Sequence, residues 1–268
     1  MAPIDLELAL RLGVFVFVFA ALAAWEKYAP ARVLRLSRAI RWQANLGLAL
    51  VNTLIVRLAL PASSIALASI AAEGQWGLLN RVAIPGWLAI VAGVVVLDLV
   101  VYFQHVLFHS VPLLARIHAV HHADMDFDLT TGIRFHPLEM LLSALIKLAA
   151  VAALGAPVVA VLAFELILNA TAMFNHANVS LPKWLEGWTR LCVVTPDMHR
   201  IHHSVLEVER NSNYGFGLSI WDRWFGTYTP AFRGELTIGL SDWRDRHTVA
   251  TLPGTLGMPF TKPDGACP

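Results

Sequence analysis

Charge is scarce in this chain. Its 268 residues include 20 Lys and Arg and 19 Asp and Glu, 15% in all, for a net charge of +1. No basic block interleaves with aromatic residues, which excludes nucleic acid as a partner. Cysteine is rarer still: Cys192 and Cys267 lie far apart, match no zinc-thiolate spacing and give no disulfide framework. Both are expected as free thiols in a reducing compartment. A glycine-rich nucleotide loop is missing, since the "GFG" at 215–217 lacks the strand-to-helix setting. So are the Glu-x-x-His pairs with which helical bundles hold carboxylate-bridged metals. The first apolar run has no basic segment before it; Asp5 and Glu7 open it, and it continues into Trp25 without a cleavage site. It is expected to be a retained membrane helix, not a secretory leader.

Apolar sequence is abundant. Hydrophobic residues make up 57% of the chain and the mean hydropathy is +0.59, beyond the composition of soluble domains. Four apolar regions cover about 5–25, 44–72, 84–109 and 138–175. The second is interrupted at Pro61, where a helix loses a backbone donor. The fourth is too long for one span and is broken by Gly155-Ala156-Pro157. Each arm of about 17 residues rises about 25 Å, enough for most of a bilayer. The expected fold is an all-α integral membrane protein with four to five membrane segments, including a helical hairpin, and a cytoplasmic histidine-rich cap.

Orientation follows from Lys27, Arg32, Arg35, Arg38 and Arg41 in the first connection, which the positive-inside rule assigns to the cytoplasm. Counting spans from there brings every histidine cluster to the cytoplasmic face. A multi-pass protein of the bacterial inner membrane is the expected location. From about residue 177 the chain turns polar, and this part is expected to form short cap helices.

The histidines are not scattered. "HAVHH" supplies His118, His121 and His122, and "HRIHH" repeats the spacing with His199, His202 and His203. With 11 histidines in the chain, one H-x-x-H-H arises by chance roughly once in fifty such sequences, and two far less often. On a helix, positions i, i+3 and i+4 share a face, so each trio is expected to aim three imidazoles at one point. "HVLFH" adds His105 and His109 at i and i+4, and His176 ends the returning arm of the hairpin. Neutral imidazole suits zinc, copper, iron and nickel. Nine candidates exceed what one metal takes, so two metals are expected. Axial haem ligation would use few of them. His247 stands outside the pattern and reads as an ordinary polar residue.

"HVLFH", "HAVHH", "HRIHH", "RFHPLE", "FNHANV" and "NYGFGLSIWDRWFGTY" resemble the membrane fatty acid hydroxylase and sterol desaturase superfamily, in particular its bacterial members, over about residues 85–230. The resemblance implies two iron ions in a non-haem di-iron centre, with zinc able to replace them during purification. It implies O2-dependent hydroxylation or desaturation of a lipid C–H bond. It divides the chain into N-terminal membrane helices (1–83), a catalytic domain (84–232) and a C-terminal tail (233–268). An acyl chain, sphingoid base, alkyl ether or sterol-like lipid would suit the apolar walls. No haem domain or nucleotide site is present, so electrons would come from a separate donor such as a ferredoxin or a cytochrome b5-type protein. A di-zinc hydrolase acting on a lipid ester or amide, with metal-bound hydroxide as nucleophile, is the competing reading.

Other residues surround the candidate ligands. His136 is read either as a tenth ligand or as the residue preceding a helix that has Pro137 at its first position and Glu139 near its positive end. Asp98, Tyr102, His105 and His109 share one face of the third span, and a carboxylate there is expected to orient His105. Asp197, Asn178 and Glu139 are further candidates for supporting the ligands, while turn formation is the default for Asn175, Asn178 and Asn213. Lys147 and Glu165 sit symmetrically about the hairpin tip and are expected to pair. Glu165, Asn169, Ala172 and His176 form a track that could bind a substrate hydroxyl or carry protons. Trp184, Trp188, Trp221 and Trp224 are read as interfacial anchors.

Overall fold

The computed structural model describes residues 3–60 and 62–264; Cys267 lies outside them, and Cys192 is a free, exposed thiol. The fold is all-helical. Among the described residues no strand forms, only isolated bridges such as Val193 with Leu218. The helices are α1 (Pro3–Tyr28), α2 (Arg38–Ala59), α3 (Ser64–Glu73), α4 (Gly86–Ser110), α5 (Pro112–His122), α6 (Pro137–Leu154) and α7 (Val158–Asn175). The cap follows with α8 (Lys183–Cys192), α9 (Pro196–His202), α10 (Glu207–Arg210), α11 (Ile220–Trp224), α12 (Arg246–Ala250) and α13 (Leu252–Gly257).

Five segments are long and apolar enough to cross a membrane: α1, the α2–α3 region, α4, α6 and α7. Many of their large apolar side chains, such as Phe17, Leu58 and Val159, face outward, as a lipid solvent allows. The second apolar region, interrupted in sequence at Pro61, is made of two helices, α2 and α3. Ser37 and Ser63 each cap a helix through a side-chain oxygen.

The hairpin forms where the sequence placed it. Gly155 ends α6 at φ +63°, and Pro157 opens α7. An added Cβ at Gly155 would lie 2.4 Å from the Trp76 carbonyl oxygen, so the turn needs glycine for both conformation and space. Leu97 of α4, Val151 of α6, Val161 and Phe164 of α7 and Ala68 of α3 form the core of the spanning bundle.

Lys147 and Glu165 do pair, and Arg11 of α1 reaches the other Glu165 oxygen at 2.5 Å. A carboxylate that is 6% exposed is thereby held by two cations.

Buried polar contacts join the cap to the spans. Glu26 of α1 accepts from the backbone N–H of Leu129 and Asn178. Arg41, read from sequence as an orienting charge, is buried and grips both Asp124 oxygens at 2.9 and 2.7 Å, with Asp128 also against it. The segment 233–264 covers one side of this assembly, where α13 packs on α2 and Val249 joins the cluster around Leu48 and Val120.

Candidate metal centre

Four stretches deliver the nine histidines. His105 and His109 lie one turn apart on α4; His118, His121 and His122 end α5; His176 caps α7; His199 and His202 lie on α9, with His203 as its C-cap. Local sequence fixes these ends. Pro112 occupies the first turn of α5, and Thr195 caps α9 before Pro196.

The imidazoles form two groups, in each of which the donor atoms lie within 4.8 Å of one another. One holds His105, His109, His118, His122 and His202; the other holds His121, His176, His199 and His203. Each H-x-x-H-H trio is therefore divided, contrary to the expectation of one shared focus. The i, i+4 members stay together, His118 with His122 and His199 with His203, while His121 and His202 join the opposite groups. Consecutive helical residues point about 100° apart, so one short helix serves two centres.

Hydrogen bonds fix which nitrogen faces inward. Nδ1 of His105 donates to the Tyr214 carbonyl and Nδ1 of His202 to that of Ser212, each at 2.7 Å. A carbonyl can only accept, so these nitrogens carry the protons and Nε2 of each ring presents a lone pair. Those two Nε2 atoms nevertheless stand 3.0 Å apart. The second group repeats the arrangement. His121 Nδ1 donates to Arg134 O at 3.1 Å, His176 Nδ1 to Ala172 O at 2.7 Å, and their Nε2 atoms are 3.1 Å apart. Facing lone pairs repel, and a cation between them removes the conflict. Buried His118 Nε2 has no hydrogen-bond partner, although its Nδ1 is bonded. The residues present thus fit a metal in each group.

Charge state agrees with this. Burial pushes His121, His122, His199, His202 and His203 well below the ordinary histidine value, and the crowding of imidazoles adds to it. Neutral rings are the form that ligates.

The proposed supporting residues fall in different places. Glu139 touches a candidate ligand: its Oε1 lies 2.7 Å from His118 Nδ1. Asp98 does not touch His105. Its Oδ2 accepts from Trp221 Nε1 at 2.7 Å and from Leu218 N at 3.1 Å, and Gly217 approaches so closely that an added Cβ would lie 2.4 Å from Oδ1. Asp98 thus fixes the loop whose Tyr214 carbonyl orients His105. Asp197 pairs with Arg200 and with Ser180 Oγ, and Asn178 binds the backbone of Arg32 at both ends of its amide.

His136 stands outside both groups. Its Nδ1 caps Leu138 N and its Nε2 contacts Leu256 O, which corresponds to the capping alternative. Trp221 is buried on Asp98 instead of anchoring at an interface, whereas Trp184, Trp188 and Trp224 are exposed. Asn213 adopts φ +54°, in keeping with a turn position.

Two residues at the site were not singled out from sequence. Arg134 is fully buried and donates to Val120 O, Asn45 Oδ1 and Val249 O, clamping the chain next to the carbonyl that orients His121. Burial pulls its guanidinium down to about 10, with Asp124 opposing the shift. Asp222 accepts from the N–H of Tyr214 and Gly215 and from Thr227 Oγ1. Its position in "IWDRW", an acid beside tryptophan in a motif-bearing stretch, was the available signal.

An apolar cavity of about 230 Å³ opens beside the five-histidine group. His105, His118, Glu139 and Lys147 line it, with Leu97, Phe135, Phe164 and Phe216 among the walls. Ser143, Gln104 and Asn169 add polar points along it, while Ala172 is the carbonyl partner of His176.

Comparison with known proteins gives this arrangement a context. The chain is 32% identical over 175 residues to the ornithine lipid hydroxylase OlsE of Rhizobium tropici, covering 65% of this chain and 50% of that protein. It is 30% identical over 133 residues to alkylglycerol monooxygenase of Xenopus tropicalis and 29% over 134 residues to that of Homo sapiens, covering 48% and 47% of this chain but 28% and 27% of theirs. The chain thus spans about half the length of the first relative and under a third of the others. No solved structure matches. Residues 90–227, which contain all nine grouped histidines, match the fatty acid hydroxylase family, and the chain belongs to that family.

Proposed function

We propose that this protein is a membrane lipid hydroxylase whose two histidine groups hold two iron ions. When bound, the iron pair supplies activation of O2, with one oxygen atom inserted into a lipid C–H bond. The observation that carries the reading is the pair of facing Nε2 lone pairs, one in each group, beside an apolar cavity in a chain of this family.

The donor geometry favours iron over the di-zinc alternative. Zinc sites are almost always four-coordinate, or three protein ligands with one open position, whereas one group here has five histidines.

The chain's own residues do the positioning. The carbonyls of Tyr214, Ser212, Arg134 and Ala172 hold four rings in one tautomer. Phe135 lies flat on His121, 4.4 Å between centroids, and Phe216 stands 5.3 Å from His105; together they exclude water from the cavity end. The cavity seats an apolar chain against His105 and His118. Lipids of the kinds named for the relatives, an ornithine lipid or an alkyl ether, are the first substrates to try, and hydroxylation is favoured over desaturation. The active site faces the cytoplasm of a bacterial inner membrane, and a separate protein delivers electrons. Glu139, Asp98, Asp197 and Asn178 support the site from outside, by the contacts described above.

The test is incubation of iron-replete protein with these lipids, O2 and a reductant, read as lipid gaining one oxygen. Ala144→Phe, which fills the cavity, should abolish the product while metal content stays unchanged. Product formation at full rate would overturn the cavity as the substrate site.

A further inference from the structure

A series of oxidisable side chains leads from the five-histidine group to the surface. Tyr214 lies against three of its members, with ring centroids 5.6, 5.2 and 5.6 Å from His105, His109 and His202. Tyr102 meets Tyr214 edge-on at 6.4 Å, and Trp221 belongs to the same buried cluster. Trp221 meets Trp224 at 5.4 Å, and Trp224 is 71% exposed.

Packing alone does not account for the polar groups along this row. The Thr227 hydroxyl donates its one proton to Asp222 Oδ1 at 2.7 Å, so in its 2.9 Å contact with Tyr102 the phenol is the donor. Tyr102 therefore has a two-step proton path, phenol to Thr227 to Asp222. Trp221 likewise points its N–H at a carboxylate, Asp98. Tyrosine oxidation at accessible potentials needs an acceptor for the phenolic proton, and an indole cation radical is stabilised by a nearby anion.

We infer that Tyr102, Trp221 and Trp224 form an electron relay that discharges a one-electron oxidant at the five-histidine group when no lipid is present to react. This rests on the function proposed above only for the source of the oxidant. Tyr102 gives one electron across the Tyr214 ring, and the oxidant is reduced by one. The phenolic proton passes to Thr227, whose own proton moves to Asp222. The Tyr102 radical then regains an electron from Trp224 through Trp221, and its proton returns along the same path. A soluble thiol refills Trp224 by one electron at the surface, releasing its proton to water and leaving a thiyl radical that combines with a second one as a disulfide. The net change is one electron from thiol to oxidant, leaving the histidines intact.

The test needs no bound metal. Metal-free protein in a Tyr28→Phe background, which removes an exposed tyrosine, is oxidised by a flash-excited ruthenium sensitiser with persulfate and frozen for electron paramagnetic resonance. A neutral tyrosyl signal is expected, lost in Tyr102→Phe and slowed in Thr227→Val; circular dichroism verifies that each variant is folded. A signal unchanged by Tyr102→Phe would overturn the relay, as would no tyrosyl signal at all, leaving the aromatics as packing. In a second arm, metal-loaded protein is cycled with O2 and reductant without lipid. Tyr102→Phe and Trp221→Phe should accumulate oxidised ligand histidines faster than the parent by peptide mass spectrometry. Equal damage would contradict the relay. Failure of the function alone would leave the flash result standing and show no lipid product.

Discussion

His121 and His122 are consecutive residues, yet their imidazoles belong to different donor groups, with ring planes 88° apart. Substituting them separately should therefore remove different metals. His121→Ala and His122→Ala are each expected to lower bound metal by about one ion per chain, since each removes a donor from one group and leaves the other group whole. Elemental analysis of gently purified protein reads this directly. Loss of both ions from either variant, with the protein still folded, would mean that the groups are not separate sites.

Glu139 sets the tautomer of His118 through its 2.7 Å contact. Glu139→Gln keeps the size but loses the charge, and should weaken metal in the five-histidine group by about 10–100-fold, the usual cost of losing such a partner. Competition with a chelator of known affinity measures it. The four-histidine group should be unaffected.

Asp98 acts on the loop 214–221 and not on a ligand. Asp98→Asn places an amide where backbone and indole N–H groups need an acceptor, and should cost about 1–3 kcal/mol of stability. Thermal unfolding followed by circular dichroism should show a lower midpoint, with metal occupancy near normal in protein kept cold. Loss of the five-group metal without any change in midpoint would return Asp98 to a direct role at His105.

Acid should destabilise the metal-free protein before it affects carboxylates. The buried histidines His121, His122, His199, His202 and His203 have folded-state values well below those of the unfolded chain. The unfolded state therefore binds more protons below about pH 6.5, and stability falls as pH drops through that point. Each such histidine contributes a slope of up to about 1.4 kcal/mol per pH unit. Unfolding midpoints between pH 7.5 and 5.5, at about the reference value on either side, should decline steeply; a flat profile would mean that the rings are not held neutral.

Much of this was legible in the sequence because it rests on local rules. Apolar length marked the spans, Gly155 and Pro157 marked the hairpin, and H-x-x-H-H spacing marked most of the side chains that gather into the two donor groups. The division of each trio was not legible, because i, i+3 and i+4 count as one face until a second centre stands beside the helix. Asp98 stood out as a carboxylate inside a span, but its partners Trp221 and Leu218 lie more than a hundred residues away. Arg11 and Arg134 carried no signal and Arg41 only one of orientation, because nothing local distinguishes an arginine that a distant carboxylate or carbonyl will bury.

The central claim is two irons in a nine-histidine cage, and the most direct measurement is metal content with Mössbauer spectroscopy on protein from isotopically enriched, iron-replete and zinc-poor medium. The account predicts about two irons per chain, one for each group, magnetically coupled when oxidised. Zinc persisting in both groups under those conditions, without O2 uptake in the presence of lipid and reductant, would contradict it.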